Sequence, residues 1–172
     1  VGDSSFKNIE SKYSLNGYLI FLMERWMPED VGGRGHLLDF AARMAGRVSK
    51  STFGAETLAI TTVSEVCWRI AKLLQEIWYG VENAAELRDS PSCIPIQVIT
   101  DAKDLFDAVR CERNYAGSDQ GMMLYIAALQ EDLRSGRIHE WVWVDTKSMI
   151  ADATTKLMRD ILIDWWHTTG TW

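Results

Sequence analysis

Ser51-Thr52-Phe53-Gly54-Ala55-Glu56-Thr57-Leu58-Ala59 opens the longest helical pattern in the chain, which runs over residues 54–79 and stops at Gly80. Glycine is the favoured residue just past a helix end. At about 100° per residue, Ala59, Ile60, Val63, Cys67, Ile70, Ala71, Leu74 and Ile77 share one stripe, with Glu65, Arg69, Lys72 and Glu76 opposite. Glu56 falls in the middle of the apolar stripe, in the first turn. Two accounts of it are open. The helix dipole favours a carboxylate near the N-terminus, where the side chain can curl out to water. A carboxylate aimed at a core instead needs a positive partner, a metal or a hydrogen-bond network.

The elements around this helix follow from punctuation and period. Breaks fall at residues 27–33, around Pro28 and Gly32-Gly33, and at residues 88–92, around Pro91. Gly17-Tyr18-Leu19-Ile20-Phe21-Leu22-Met23 and His36-Leu37-Leu38-Asp39-Phe40-Ala41-Ala42 read as a β-hairpin with a long tip. Residues 95–100 read as a buried strand and 102–111 as a helix. A further helix covers 120–134 and ends before Gly136. Residues 138–144 alternate as a strand, and a last helix covers 149–157 and resumes towards Trp166. The order β-β-β-α-β-α-α-β-α predicts an α/β layer architecture with a mixed sheet.

Composition bounds the function. The chain has 172 residues, 47% hydrophobic and 24% charged, as expected of one globular domain over residues 1–172. Eighteen Lys+Arg against 24 Asp+Glu gives a formal net charge of −6, which excludes a strongly basic nucleic-acid wrapper. It leaves room for an enzyme with a local basic patch beside an acidic metal site. Cys67, Cys93 and Cys111 are odd in number and form no CxxC pair, which argues against a disulfide framework or a thiolate zinc site. No apolar run approaches a membrane span, so no membrane partner and an intracellular setting are expected. The opening Val1-Gly2-Asp3 lacks an initiator Met and reads as an excerpt of a longer polyprotein.

Three aspartates repeat the theme of Glu56 at element ends. Asp101 closes a buried strand where a helix starts, and an N-cap with Asp104 three residues on explains it as well. Asp3 precedes a Ser-Ser pair, which ordinary turn chemistry also explains. Asp152 has an i,i+4 partner in Lys156. Sites in open α/β sheets gather at the carboxyl ends of strands and adjoining helix starts. Four carboxylates meeting there repel one another unless hard cations lie between them, and Mg²⁺ with its octahedral oxygen shell suits that role. Two-metal phosphodiester hydrolysis is the chemistry of such a site.

In order and spacing these residues resemble the ribonuclease H domain of reverse transcriptases, most closely that of copia-type LTR retrotransposons. The matching pieces are Asp3-Ser4-Ser5-Phe6, the run from Gly17 to Leu22, and Ser51 to Ala59, which is similar to S-T-x-x-A-E-x-x-A. Thr100-Asp101-Ala102-Lys103 and Ala151-Asp152-Ala153-Thr154-Thr155-Lys156, similar to A-D-x-x-T-K, complete the series. The resemblance covers residues 3–157 and leaves 158–172 as a C-terminal extension. It implies a ribonuclease H-like fold: a five-stranded mixed sheet with three antiparallel strands first, flanked by helices. It also implies a catalytic and metal-binding set carried here by Asp3, Glu56, Asp101 and Asp152. These would hold two Mg²⁺ ions, with Mn²⁺ as a substitute, and hydrolyse the RNA strand of an RNA–DNA hybrid. A polymerase domain in the same polyprotein would be the natural partner.

The chain departs from the family after Asp101. Ser118-Asp119-Gln120-Gly121-Met122-Met123-Leu124-Tyr125 lacks the Lys/Arg- and His-bearing segment usual there. Phosphate contacts are assigned instead to Arg43, Arg47 and Lys50, with Lys156 and Lys147 as weaker candidates; a solvated loop is the other account of the first three. Trp141 and Trp143 alternate with Val142 and Val144, and packing between helices and sheet is the expected use of such residues. His36, His139 and His167 neighbour no Ser or Cys in a nucleophile arrangement. Two other readings stay open. One is a decayed or structural copy acting as a tether; the other is an unrelated α/β interaction module, in which the four carboxylates would not meet.

Overall fold

The computed structural model describes residues 1–5, 14–23, 34–45, 49–80, 91–111, 120–155 and 161–170. The hairpin tip, Arg47, Lys156 and Trp172 lie outside them. The strands are β1 (Gly2–Ser5), β2 (Leu15–Met23), β3 (Gly35–Met44), β4 (Gln97–Thr100) and β5 (Glu140–Trp143). The helices are α1 (Thr52–Tyr79), α2 (Lys103–Arg110), α3 (Met123–Arg134), α4 (Asp152–Thr155) and α5 (Ile161–Thr169). Short 3-10 turns cover Gln120–Met122 and Thr146–Ser148.

The period-2 pattern of the strands distributes the core to two faces. Tyr18 and Ile20 of β2, Ala41 of β3, Val98 of β4 and Trp141 of β5 join Ile60 and Val63 of α1, Leu105 of α2 and Ile126 and Leu129 of α3 in one apolar cluster. Their neighbours in sequence turn the other way. Leu19 and Ile99 are buried with Met149, Ile150 and Ala151, and Val142 and Trp166 pack against them. Trp166 also meets Phe21 edge-to-face, with ring centroids 5.2 Å apart, and its Nε1–H donates to the Gly35 carbonyl at 2.9 Å.

The fold is α/β, with β1-β2-β3 forming an antiparallel sheet and β4-β5 a parallel pair. The expected five strands are therefore present, but their hydrogen bonds group them as three and two. β1 and β4 approach within 8 Å, Cα to Cα. In the first sheet Asp3 lies opposite Gly17; in the second Thr100 lies opposite Trp143.

Local chemistry explains the boundaries. Ser51 Oγ accepts the Gly54 N–H at 3.0 Å and starts α1, while Gly80 adopts φ 78° and returns its N–H to Glu76 at 2.9 Å. β4 begins at Gln97 rather than Pro95. Pro95 has no N–H, and that of Ile96 goes to His139 Nδ1 at 3.2 Å. The helix expected over 149–157 starts late. Asp145 accepts the Lys147 N–H at 2.9 Å and turns the chain, and Met149, Ile150 and Ala151 are all buried before α4 begins. Among the described residues, no helix is long and apolar enough to cross a membrane.

Candidate metal centre

Three elements bring three of the expected carboxylates together. Asp3 is carried by β1, Asp101 follows the last residue of β4, and Asp152 opens α4. Each offers a carboxylate oxygen, and these oxygens lie within 4.8 Å of one another. The account of Asp101 as an N-cap does not hold. The cap of α2 is Ala102, with no side-chain bond, and the Ala102 N–H goes to Thr100 Oγ1 at 3.1 Å. The Asp101 backbone is fixed from another side, since its carbonyl accepts the indole N–H of Trp143 at 3.0 Å.

Asp3 is buried, and the Thr155 hydroxyl donates to its Oδ2. That bond needs α4 close against the sheet, and Gly17 permits it. A Cβ at Gly17 would sit 1.8 Å from Thr154 Oγ1 and 2.7 Å from Thr155 Cγ2. The glycine of the Gly17-Tyr18 run is therefore a steric requirement of the site.

Glu56 stands beside this trio rather than within it. The helical pattern left its direction open, and the structure turns it inward, with 7% of its surface exposed. Burial pushes its carboxyl up to about 8, and the charges of Asp3 and then Asp101 add to the rise, while Ser4 draws it partly back. Its Oε2 is buried with no hydrogen-bond partner, and among the described residues no cation pairs with it. A carboxylate so placed keeps its proton at neutral pH when the site holds no cation.

Of the basic residues read as phosphate contacts, Arg43 on β3 and Lys50 just before α1 are exposed. Arg47 and Lys156 lie outside the described residues. The sequence reading missed two participants. In the sequence Thr155 stands out only as part of a signature; its signal is its place three residues after Asp152, on the same helical face. The alternation of Trp141 and Trp143 with Val142 and Val144 predicts core packing for both rings. Trp141 is buried, but Trp143 ends β5 with 40% of its surface exposed and its N–H on Asp101.

An all-oxygen donor set of three carboxylates, with a fourth buried alongside, fits a hard divalent cation such as Mg²⁺, Mn²⁺ or Ca²⁺. No protein-family model, no curated protein and no solved structure matches the chain, so the chemistry of the site rests on these side chains alone.

Proposed function

We propose that the chain is a Mg²⁺-dependent endoribonuclease of ribonuclease H type, hydrolysing the RNA strand of RNA–DNA hybrids beside the polymerase domain of a retroelement polyprotein inside the cell. The observation that carries this reading is the convergence of Asp3, Asp101 and Asp152 from three distant segments, with Glu56 buried next to them. The approach of β1 to β4 supports the fold: pairing there would join the two sheets into the five-stranded mixed sheet of that type.

In this reading Asp3, Glu56, Asp101 and Asp152 hold Mg²⁺, or Mn²⁺ in its place. Bound there, the ions supply an activated water and charge stabilisation for the leaving 3′-oxygen. The protein's own part is positioning. Trp143 pins the backbone of Asp101, Thr155 pins the carboxylate of Asp3, and the apolar packing of Met149, Ile150 and Ala151 sets the start of α4. Glu56 gives up the proton on its carboxyl before it can serve as a ligand. Arg43 and Lys50 are exposed and free to meet backbone phosphates, with Arg47 and Lys156 expected to assist.

Cleavage of a labelled RNA–DNA hybrid in Mg²⁺ tests the proposal. Wild type should cut the RNA strand alone, leaving 5′-phosphate ends. EDTA should abolish cutting, and Asp101→Asn should lower the rate by at least about a hundredfold, as loss of one charge-stabilising group does elsewhere. If no strand is cut although Mg²⁺ raises the melting temperature of wild type and not of Asp101→Asn, the nuclease reading fails and a structural tether takes its place.

A further inference from the structure

We propose that Thr155 is a positioning residue of the metal centre: its hydroxyl holds the carboxylate of Asp3 in the orientation that receives a divalent cation. The inference rests on reading the acidic cluster as a Mg²⁺ site, and goes beyond it by assigning a determinant of affinity outside the four carboxylates.

Thr155 Oγ1 donates to Asp3 Oδ2 and lies 3.4 Å from the Asp152 carbonyl, so one hydroxyl touches two of the three converging residues. Both side chains in the first bond are buried, Thr155 at 2% exposure and Asp3 at 4%. A carboxylate has a broad torsion about its last bond. A donor on Oδ2 fixes that torsion, and with it the direction in which the carboxylate faces those of Asp101 and Asp152. The neighbouring buried Oε2 of Glu56, which has no hydrogen-bond partner, independently marks the same place as one built for a ligand. Partners that orient metal ligands typically change affinity 10- to 100-fold when removed.

Thr155 has two assets, a hydroxyl on Asp3 and a methyl group packed where Gly17 leaves room. Substitutions separate them. Thr155→Ser keeps the hydroxyl, Thr155→Val keeps the methyl group and puts a second methyl in place of the hydroxyl, and Thr155→Ala keeps neither. The full chain, stripped with EDTA and dialysed, is titrated with Mg²⁺ by calorimetry and with Tb³⁺ by tryptophan-sensitised luminescence, using Trp143 as the nearby donor. Thr155→Ser should bind within about threefold of wild type, and Thr155→Val about 10- to 100-fold more weakly. Hybrid cleavage should show the same split: for Thr155→Val the Mg²⁺ half-saturation rises, while kcat at saturating Mg²⁺ stays near that of wild type. If Thr155→Val does not fold, the contrast of Thr155→Ser with Thr155→Ala decides in the same way. Equal affinity for wild type and Thr155→Val overturns the inference and leaves the metal reading standing, and so does a Ser variant as weak as the Val variant, which would make packing the cause. A wild type that takes up neither ion overturns both.

Discussion

Helix α1 borders two regions where a carboxylate leaves water, and the chain treats them differently. Along its middle, a cleft of about 220 Å³ is lined by Ser64, Trp68, Asp132 and Arg137. Burial raises the Asp132 carboxyl, but Arg137 counters it: Nη1 lies 3.2 Å from Asp132, and the guanidinium stacks 4.2 Å from the Trp68 ring centroid. Near the N-terminal end of α1, just past its first turn, Glu56 is more deeply buried, faces Asp3 and Asp101, and among the described residues receives no cation. A desolvated carboxylate neutralised by its own chain is architecture. One set among other carboxylates without that help is stable as an acid, or as a ligand to a cation from solution.

The largest effect expected from this contrast is on pH dependence. Folded, Glu56 keeps its proton up to about 8, against 4.5 for an ordinary glutamate. Between those values the folded chain holds one proton more than the unfolded one, so stability falls as pH rises. The slope is about 1.4 kcal/mol per pH unit; the contribution is complete below the lower value and gone above the upper. Denaturant unfolding in EDTA, from about pH 5 to about pH 8, should show this loss in wild type and a flatter profile in Glu56→Gln, which cannot ionise. Mg²⁺ should restore wild type at the alkaline end far more than the variant. Parallel profiles for the two proteins would end the contrast, since Glu56 would then be as well accommodated as Asp132.

Much of the fold is legible in the sequence because it is local. The period of α1, its Ser51 start and Gly80 stop, and the hairpin of β2 and β3 are each written within a few residues. The site is less legible because its decisive contacts are remote. Glu56 reads as a polar residue in an apolar stripe, and only the placement of β1 turns it from a dipole-stabilised surface group into a buried one. Asp101 carries the spacing of a capping residue, but the helix after it is capped at Ala102 with no side-chain bond, and the Ala102 N–H goes to the Thr100 hydroxyl. Trp143 shares its alternation with Trp141, but strand β5 ends beneath it, so one ring is core and the other borders the site. Pairing between strands leaves no mark in a period of two, which is why five strands could be counted while their grouping into two sheets could not.

Gly17 offers a sharper, smaller test, because it alters the site without touching an acid. In Gly17→Ala the new methyl collides with Thr154, whose hydroxyl is committed to the Ala151 carbonyl at 2.7 Å and so cannot easily swing away. Helix α4 must shift, at about 1–3 kcal/mol by the usual cost of overpacking. Thermal unfolding should register that loss, and Mg²⁺ affinity should fall with it, since Thr155 and Asp152 ride on the same helix. A variant that loses stability but binds Mg²⁺ as wild type does would mean that the acids find their places without α4 pressed against β2.

The smallest effect belongs to the self-neutralised region. The Arg137 side chain is 38% exposed and that of Asp132 22%, so their ion pair is screened and contributes little by itself. Stacking on Trp68 adds to it, and Arg137→Ala should cost about 1 kcal/mol in denaturant unfolding. Arg137→Lys keeps the charge but not the planar stack, and should recover only part of that. Neither change should move Mg²⁺ affinity. Trp68 lies twelve residues beyond Glu56 on α1, about 18 Å along the axis, which is further than charges act through physiological salt. A Mg²⁺ affinity that responds to Arg137→Ala would make α1 a link between the two regions, because only a displacement of the helix could carry the effect from one to the other.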